Sequence, residues 1–241
     1  MFRPPHSPSF ASWLTIGDPL AAEIMSRAGF DWLILDAQHG GVTPGNLLGL
    51  IQASELGGTR PLVRVSGNHP AEIMRALDLG AGGVIVPLVN TSAEAAAAAA
   101  AVRYPPAGSR SFGKVRSYYA VGEAAEPFCM VMIETAEALA NLDAIAATPG
   151  IDGLFVGPAD LGLSLGHAPG ARVPDEVMAA IGDVVAASER HGVIPGSASF
   201  GPENAQALLG LGVKFLTLGA DAGFLRRGAA AEVARIKEWR A

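Results

Sequence analysis

Cysteine is almost missing from this chain. The single example, Cys129, lies inside an apolar run, which excludes a disulfide framework or a thiolate metal cluster and leaves it as a small core residue. A surplus of positive charge is missing as well: 17 Lys and Arg against 23 Asp and Glu give a formal net charge of −6. Nucleic acid and anionic membrane are therefore not expected partners, because both require an excess of Lys and Arg over a surface. An anionic small molecule remains open, provided that one or two cations are placed locally. No stretch of about 18 uninterrupted apolar residues is present to span a bilayer. The opening residues, Met1 to Pro8, are proline-rich and lack the apolar segment of a signal peptide, so the cytoplasm is the expected compartment. A glycine-rich dinucleotide fingerprint and an interdomain linker are also lacking.

What is present is apolar and regular. Half of the 241 residues are hydrophobic, enough for a large core with surface to spare for a subunit interface. Eight strand-like runs, each followed by a helical pattern, fall at roughly 10–16, 30–36, 60–65, 83–88, 128–133, 153–156, 193–198 and 215–218. Strands alternating with helices over this length predict one (β/α)8 barrel, a single domain spanning 1–241. A doubly wound open sheet is the alternative, disfavoured by eight units without the fingerprint.

The chain is organised around Glu134 to Asp160. The run Phe128 to Ile133 ends in Glu134, and after an Ala/Leu-rich helix the run Gly153 to Val156 leads into Gly157-Pro158-Ala159-Asp160. Continuous apolar runs with β-branched residues read as strands buried on both faces, and polar residues just after such strands are where barrel chemistry resides. Taken singly, Glu134 could equally cap a helix and Asp160 stabilise a turn.

The remaining strands bear on that choice. The first helix is expected from Asp18-Pro19 through Ile24-Met25 to Gly29. Strand two delivers Asp36 and His39 to the C-terminal rim. Strand three carries Arg64 where an apolar residue belongs, and a buried arginine needs anionic partners, so Arg64 reads as functional. Strand four precedes an alanine-rich helix, Ala95 to Ala101, expected on the outside of the barrel. The longest connection, Tyr104 to about Pro127, has the length of a lid or binding loop; its Arg110 and Arg116 could meet an anion or simply face solvent. A second long loop is expected at Gly162 to Pro174, and a helix ending near His191-Gly192. Small residues after strands seven and eight, Gly196-Ser197-Ala198 and Gly219-Ala220-Asp221, would let backbone N–H groups approach a ligand. The last helix spaces Phe224, Leu225, Val233, Ile236 and Trp239 along a charged stretch reaching Arg240, for packing on its own core or on another subunit.

On a barrel, Asp36, His39, Arg64, Glu134 and Asp160 share one rim. Two carboxylates without Cys or clustered His form an all-oxygen site suited to a divalent metal ion (Mg²⁺, Mn²⁺ or Co²⁺) with open positions for water and a chelating 2-oxo acid. The metal would stabilise the enolate formed when a C3 proton leaves. His39 is free to act as acid or base, with Asp36 placed to fix its tautomer. Arg64 offers a planar fork for a carboxylate or enolate oxygen.

With these residues in place the sequence resembles the HpcH/HpaI family of metal-dependent, class II pyruvate aldolases. The resemblance rests on Ala28-Gly29-Phe30-Asp31-Trp32, Leu35 to His39, Val63-Arg64-Val65, Arg103 to Arg110, Ile133-Glu134-Thr135, Val156 to Leu161 and Leu225 to Ala229. It implies reversible retro-aldol cleavage of 4-hydroxy-2-oxo acids to pyruvate or hydroxypyruvate plus an aldehyde. A citramalyl-CoA-type lyase or decarboxylase using the same enolate, or a non-catalytic metabolite-binding barrel, is the alternative. The resemblance implies Glu134 and Asp160 as metal ligands, and His39 with Asp36 working with a metal-bound water in proton transfer. Arg64 would hold the pyruvyl oxygen. Gly157, Ala159 and Asp160 would bind substrate, the N–H groups of Ala159 and Asp160 holding the carboxylate. It also implies a homo-hexamer, a trimer of dimers that exchange the C-terminal helix. Two departures, Gln38 for Glu and Met132 for Gln, bear on polarity near the metal.

Overall fold

Alternation along the strands sorts the apolar residues onto two surfaces. In a computed structural model describing residues 7–113, 115–116, 126–170 and 172–239 (the side chain of Glu238 apart), the strands are β1 (Ser9–Leu14), β2 (Trp32–Asp36), β3 (Leu62–Arg64), β4 (Gly83–Val86), β5 (Phe128–Ile133), β6 (Gly153–Val156), β7 (Ile194–Ala198) and β8 (Phe215–Ala220). They pair in parallel and in sequence order, and β8 returns to β1, so the sheet closes as a (β/α)8 barrel. Along β5, Phe128, Met130 and Met132 join Ile34, Ile85, Phe155 and Phe215 inside the barrel, while Cys129, Val131 and Ile133 pack outward against the helices. Each strand thus serves two cores, and this is why the runs are apolar throughout.

The helices are α1 (Pro19–Ser26), α2 (Leu47–Leu56), α3 (Pro70–Asp78), α4 (Ser92–Val102), α5 (Ala136–Ala140), α6 (Leu142–Ala146), α7 (Pro158–Ser164), α8 (Asp175–His191), α9 (Pro202–Leu211) and α10 (Asp221–Trp239). The Asp18 side chain caps α1 by accepting from the Leu20 N–H, with proline at the first helical position. The alanine-rich α4 starts in a capping box of Thr91 and Glu94 and buries Ala95, Ala98, Ala99 and Ala101, the small side chains allowing a close approach to the sheet. Helix α8 stops where Gly192 turns left-handed. The second long loop is shorter than the sequence suggests, because Gly162 to Ser164 complete α7.

The connection after α4 enters β5 from the N-terminal end of the barrel, opposite the rim where barrel enzymes keep their chemistry. Its segment 117–125 and residue 114 lie outside the described residues, as does Arg240. Arg110 and Arg116 neither face solvent nor wait for an external anion. Both are buried, Arg110 on Asp78 at 2.6 Å and Arg116 on Glu55, at the ends of α3 and α2. Arg103 likewise reaches Asp152 at 2.9 Å, and Asp152 accepts from the Cys129 N–H at 2.7 Å. These residues fasten the floor of the barrel. They also leave the Cys129 thiol fully enclosed, and burial pushes it up to about 12.

Candidate active site

The C-terminal ends of β1, β2, β3, β5, β6, β7 and β8 surround a cavity of about 290 Å³ lined by Trp13, Thr15, Asp36, His39, Arg64, Met132, Phe155, Asp160, Phe200 and neighbours. Its centre is an ion pair that sequence spacing alone does not reveal. Arg64 donates from Nε to Asp36 Oδ1 at 2.9 Å and from Nη2 to Oδ2 at 2.7 Å, the bidentate geometry of an arginine fork. Both are buried, Asp36 at 2% and Arg64 at 9% exposure, so removing either strands a charge, at a cost of about 3–5 kcal/mol. The guanidinium also lies 4.3 Å over the Trp13 ring, and Trp13 is anchored by its indole N–H to Thr217 Oγ1 at 2.9 Å. No motif pointed to Trp13; an aromatic one residue from the end of β1 was its only trace.

This pairing corrects the expected role of Asp36. Its carboxylate does not meet the His39 imidazole. Beyond Arg64 it accepts from the backbone N–H groups of Gln38 at 3.1 Å and His39 at 3.2 Å, fixing the main chain of the loop that carries the histidine. The exposed His39 ring lines the cavity and makes no hydrogen bond among the described residues. Gln38 does not line the cavity, whereas Met132 does, as the top of the interior column of β5.

Glu134 follows β5 and is 2% exposed. Its Oε1 accepts the Leu88 N–H at 2.7 Å, offered by a backbone held at φ 55, a strained conformation for a branched residue. A Cβ on Gly157 would come within 2.6 Å of Glu134 Oε2, so a side chain there would push this carboxylate out of place. Burial raises the Glu134 carboxyl above its usual range. The Leu88 N–H opposes that shift, the Asp160 charge adds to it, and Arg64 opposes it more weakly. Asp160 itself is exposed in the first turn of α7, where the N–H groups of Ala159 and Asp160 have no intrahelical acceptor.

A divalent cation fits this donor set. A buried carboxylate with one backbone donor and no ion pair among the described residues lies within the field of a second carboxylate, an arrangement that a hard cation resolves with oxygen ligands. Among the described residues no group of three or more His, Cys, Asp and Glu gathers for a metal, so the rest of the coordination shell would fall to water and substrate. Beside the small residues of β7 and β8, the N–H groups of Ser199, Phe200 and Ala222 are taken by the Thr217 carbonyl, Asn204 Oδ1 and Asp221 Oδ1.

The fold is a (β/α)8 barrel with its charged groups gathered at one rim, and the chain's relatives give its class, a carbon–carbon lyase. The model of the HpcH/HpaI aldolase/citrate lyase family matches residues 10–227, and the chain belongs to that family. It is 42% identical over 233 residues to a hydroxypyruvate/pyruvate aldolase of Rhizorhabdus wittichii, covering 92% of this chain and 91% of the relative. It is 38% identical to a 4-hydroxy-2-oxo-heptane-1,7-dioate aldolase of Klebsiella pneumoniae over 240 residues, 95% of this chain and 89% of the relative. Among solved structures, an HpcH/HpaI aldolase/citrate lyase family protein from Burkholderia cenocepacia superposes with a TM-score of 0.87 at 32% identity, covering 96% of this chain and 95% of that one.

Proposed function

We propose that this protein is a divalent-metal-dependent aldolase that reversibly cleaves 4-hydroxy-2-oxo acids to pyruvate or hydroxypyruvate and an aldehyde. The observation that carries the reading is the buried Glu134 carboxylate, held in the field of Asp160, with a single rim arginine whose fork is only partly used. Asp36 occupies Nε and Nη2 of Arg64, which leaves Nη1 for an oxygen of the 2-oxo acid. A divalent ion held by Glu134 and Asp160 supplies Lewis-acid polarisation of the 2-oxo group. The N–H groups of Ala159 and Asp160, with Gly157 giving them room, take the substrate carboxylate. His39 moves the proton: in cleavage the 4-hydroxyl loses it, the C3–C4 electron pair passes to the 2-oxo fragment, and C3 is then reprotonated. The apolar walls, Trp13, Met132, Phe155 and Phe200, exclude water from the enolate.

The same reading makes the working unit a cytoplasmic hexamer built from dimers that exchange α10. Supporting it, α10 exposes Leu225, Val233, Ile236 and Trp239, the last 77% exposed, and Leu20, Ile24 and Leu56 form a second apolar patch across α1 and α2. Light scattering of the purified chain tests the assembly, and a monomer at micromolar concentration would refute it. For the chemistry, the test is pyruvate release from a 4-hydroxy-2-oxo acid before and after exhaustive EDTA treatment. Activity should vanish and return with Mg²⁺, Mn²⁺ or Co²⁺; full activity in the stripped protein sinks the proposal.

A further inference from the structure

Asp221, the first residue of α10, lies outside the constellation above, and its surroundings set it apart from an ordinary helix-start acid. It is 4% exposed and has no cationic partner among the described residues. Its Oδ1 accepts from the Thr15 N–H at 2.8 Å, the Thr15 hydroxyl at 2.7 Å and the Ala222 N–H at 2.8 Å. Its Oδ2 accepts from the Ile16 N–H at 3.0 Å. A carboxylate buried without a counter-ion needs several hydrogen-bond donors, and here all but the Ala222 N–H come from Thr15 and Ile16, just past the end of β1.

The ladder explains why a side chain is needed. Between β1 and β8 the register runs Ala11↔Thr217 and then Trp13↔Ala220, a bulge centred on Gly219, whose φ is 94. Bulges re-aim side chains and end pairing, often beside active sites. Past this one, the N–H groups of Thr15 and Ile16 have no strand to bond, and the Asp221 carboxylate takes them instead. Thr15 passes the constraint on, because its carbonyl accepts the Gly41 N–H at 2.8 Å, two residues after His39. Thr15 and His39 both line the catalytic cavity.

We propose that Asp221 is a positioning residue: through Thr15 and Gly41 it fixes the loop that carries His39, and thereby the alignment of the proton-transfer step. The inference rests on the aldolase reading for its kinetic consequence, though not for its structural one. A displacement of about 1 Å at a reacting group costs up to about a hundredfold in rate, so the loss appears in kcat with binding intact.

The test compares Asp221→Asn, which replaces the acceptor for Ile16 with a donor, with the near-isosteric pair Thr15→Val and Thr15→Ser. The readout is deuterium exchange at pyruvate C3 with Mn²⁺ present. Asp221→Asn and Thr15→Val should lower kcat for exchange about tenfold or more, with KM for pyruvate within about threefold of wild type. Thr15→Ser, which keeps the hydroxyl, should exceed Thr15→Val by about tenfold. Wild-type kcat in Asp221→Asn, a rise in KM alone, or equal rates for the two Thr15 variants overturns the proposal. If Asp221→Asn does not fold, the Thr15 pair decides. A second readout is independent of turnover: amide hydrogen exchange at His39 to Gly41 should quicken in Asp221→Asn and Thr15→Val, and unchanged protection overturns the proposal. Wild-type protein that neither exchanges nor cleaves any donor would refute the aldolase reading, and the amide measurement would still judge Asp221.

Discussion

The two ends of the barrel use the same residue types to opposite effect. At the floor, Arg103, Arg110 and Arg116 meet Asp152, Asp78 and Glu55 one to one, and each pair ties a loop to a helix end or strand start. At the rim, Arg64 is the single arginine among the described residues lining the cavity, against the carboxylates Asp36, Glu134 and Asp160. Balanced pairs need nothing further, whereas the rim keeps more negative charge than its own side chains neutralise. A fold that pairs three arginines with three carboxylates at one end does not leave the surplus at the other by inability. The surplus marks where a ligand is required.

That contrast can be broken most severely at Glu134. Glu134→Gln keeps the shape and the Leu88 hydrogen bond but removes the charge, so turnover should fall by about three orders of magnitude or more, in line with several kcal/mol of lost charge stabilisation. The fold should hold, because the substitution relieves a buried carboxylate, and thermal melting alongside steady-state rates checks both halves. His39→Ala comes next: exchange at pyruvate C3 should drop about two orders of magnitude, with little change in melting because the ring is exposed and makes no hydrogen bond among the described residues. An unchanged exchange rate removes His39 from the proton path.

The floor responds in the opposite sense. Arg116→Ala strands Glu55, which is partly exposed, so the expected loss is about 1–3 kcal/mol of stability, read as a lower melting temperature with kcat unchanged within about twofold. A kcat loss comparable to that of His39→Ala would mean that the two ends are coupled. The smallest effect belongs to Cys129. With its thiol pushed up to about 12, it stays protonated and enclosed, so a thiol reagent at pH 8 should find no reactive group in the native protein and one after unfolding. Because the folded value lies above the unfolded one, the stability it contributes is complete below about pH 8.5 and is lost as the pH climbs towards the folded value.

The strands were legible because a doubly buried strand writes itself as an unbroken apolar run. Observed ends differ from the expected ones by few residues, and the differences have causes. β1 stops at Leu14 where 16 was expected, because Thr15 and Ile16 turn to bond Asp221. The rim residues were legible as types at strand ends, since a charge closing an apolar run stands out. Their pairings were not. Which acid meets Arg64 is fixed by strand register, Asp36 lying opposite Arg64 across β2 and β3, and no spacing along the chain encodes that contact. For the same reason Asp36 was assigned to the histidine three residues away in sequence, and Arg110 and Arg116 to solvent or a ligand, when each had a partner on another element. Leu88 left no signal, because a left-handed leucine looks like any other until its backbone is seen.

Closure of the barrel through β1 and β8 bears on how the protein is made. Ser9 pairs with Phe215, so the barrel's first strand waits for its eighth before its outer edge is covered, the kind of long-range pairing that slows folding. During synthesis that edge is an open hydrogen-bonding template, and such exposed edges invite association with other chains. A nascent chain halted before Phe215 already contains Asp36, His39, Arg64, Glu134 and Asp160 and has no ring to hold them, so competence arrives with the final strand.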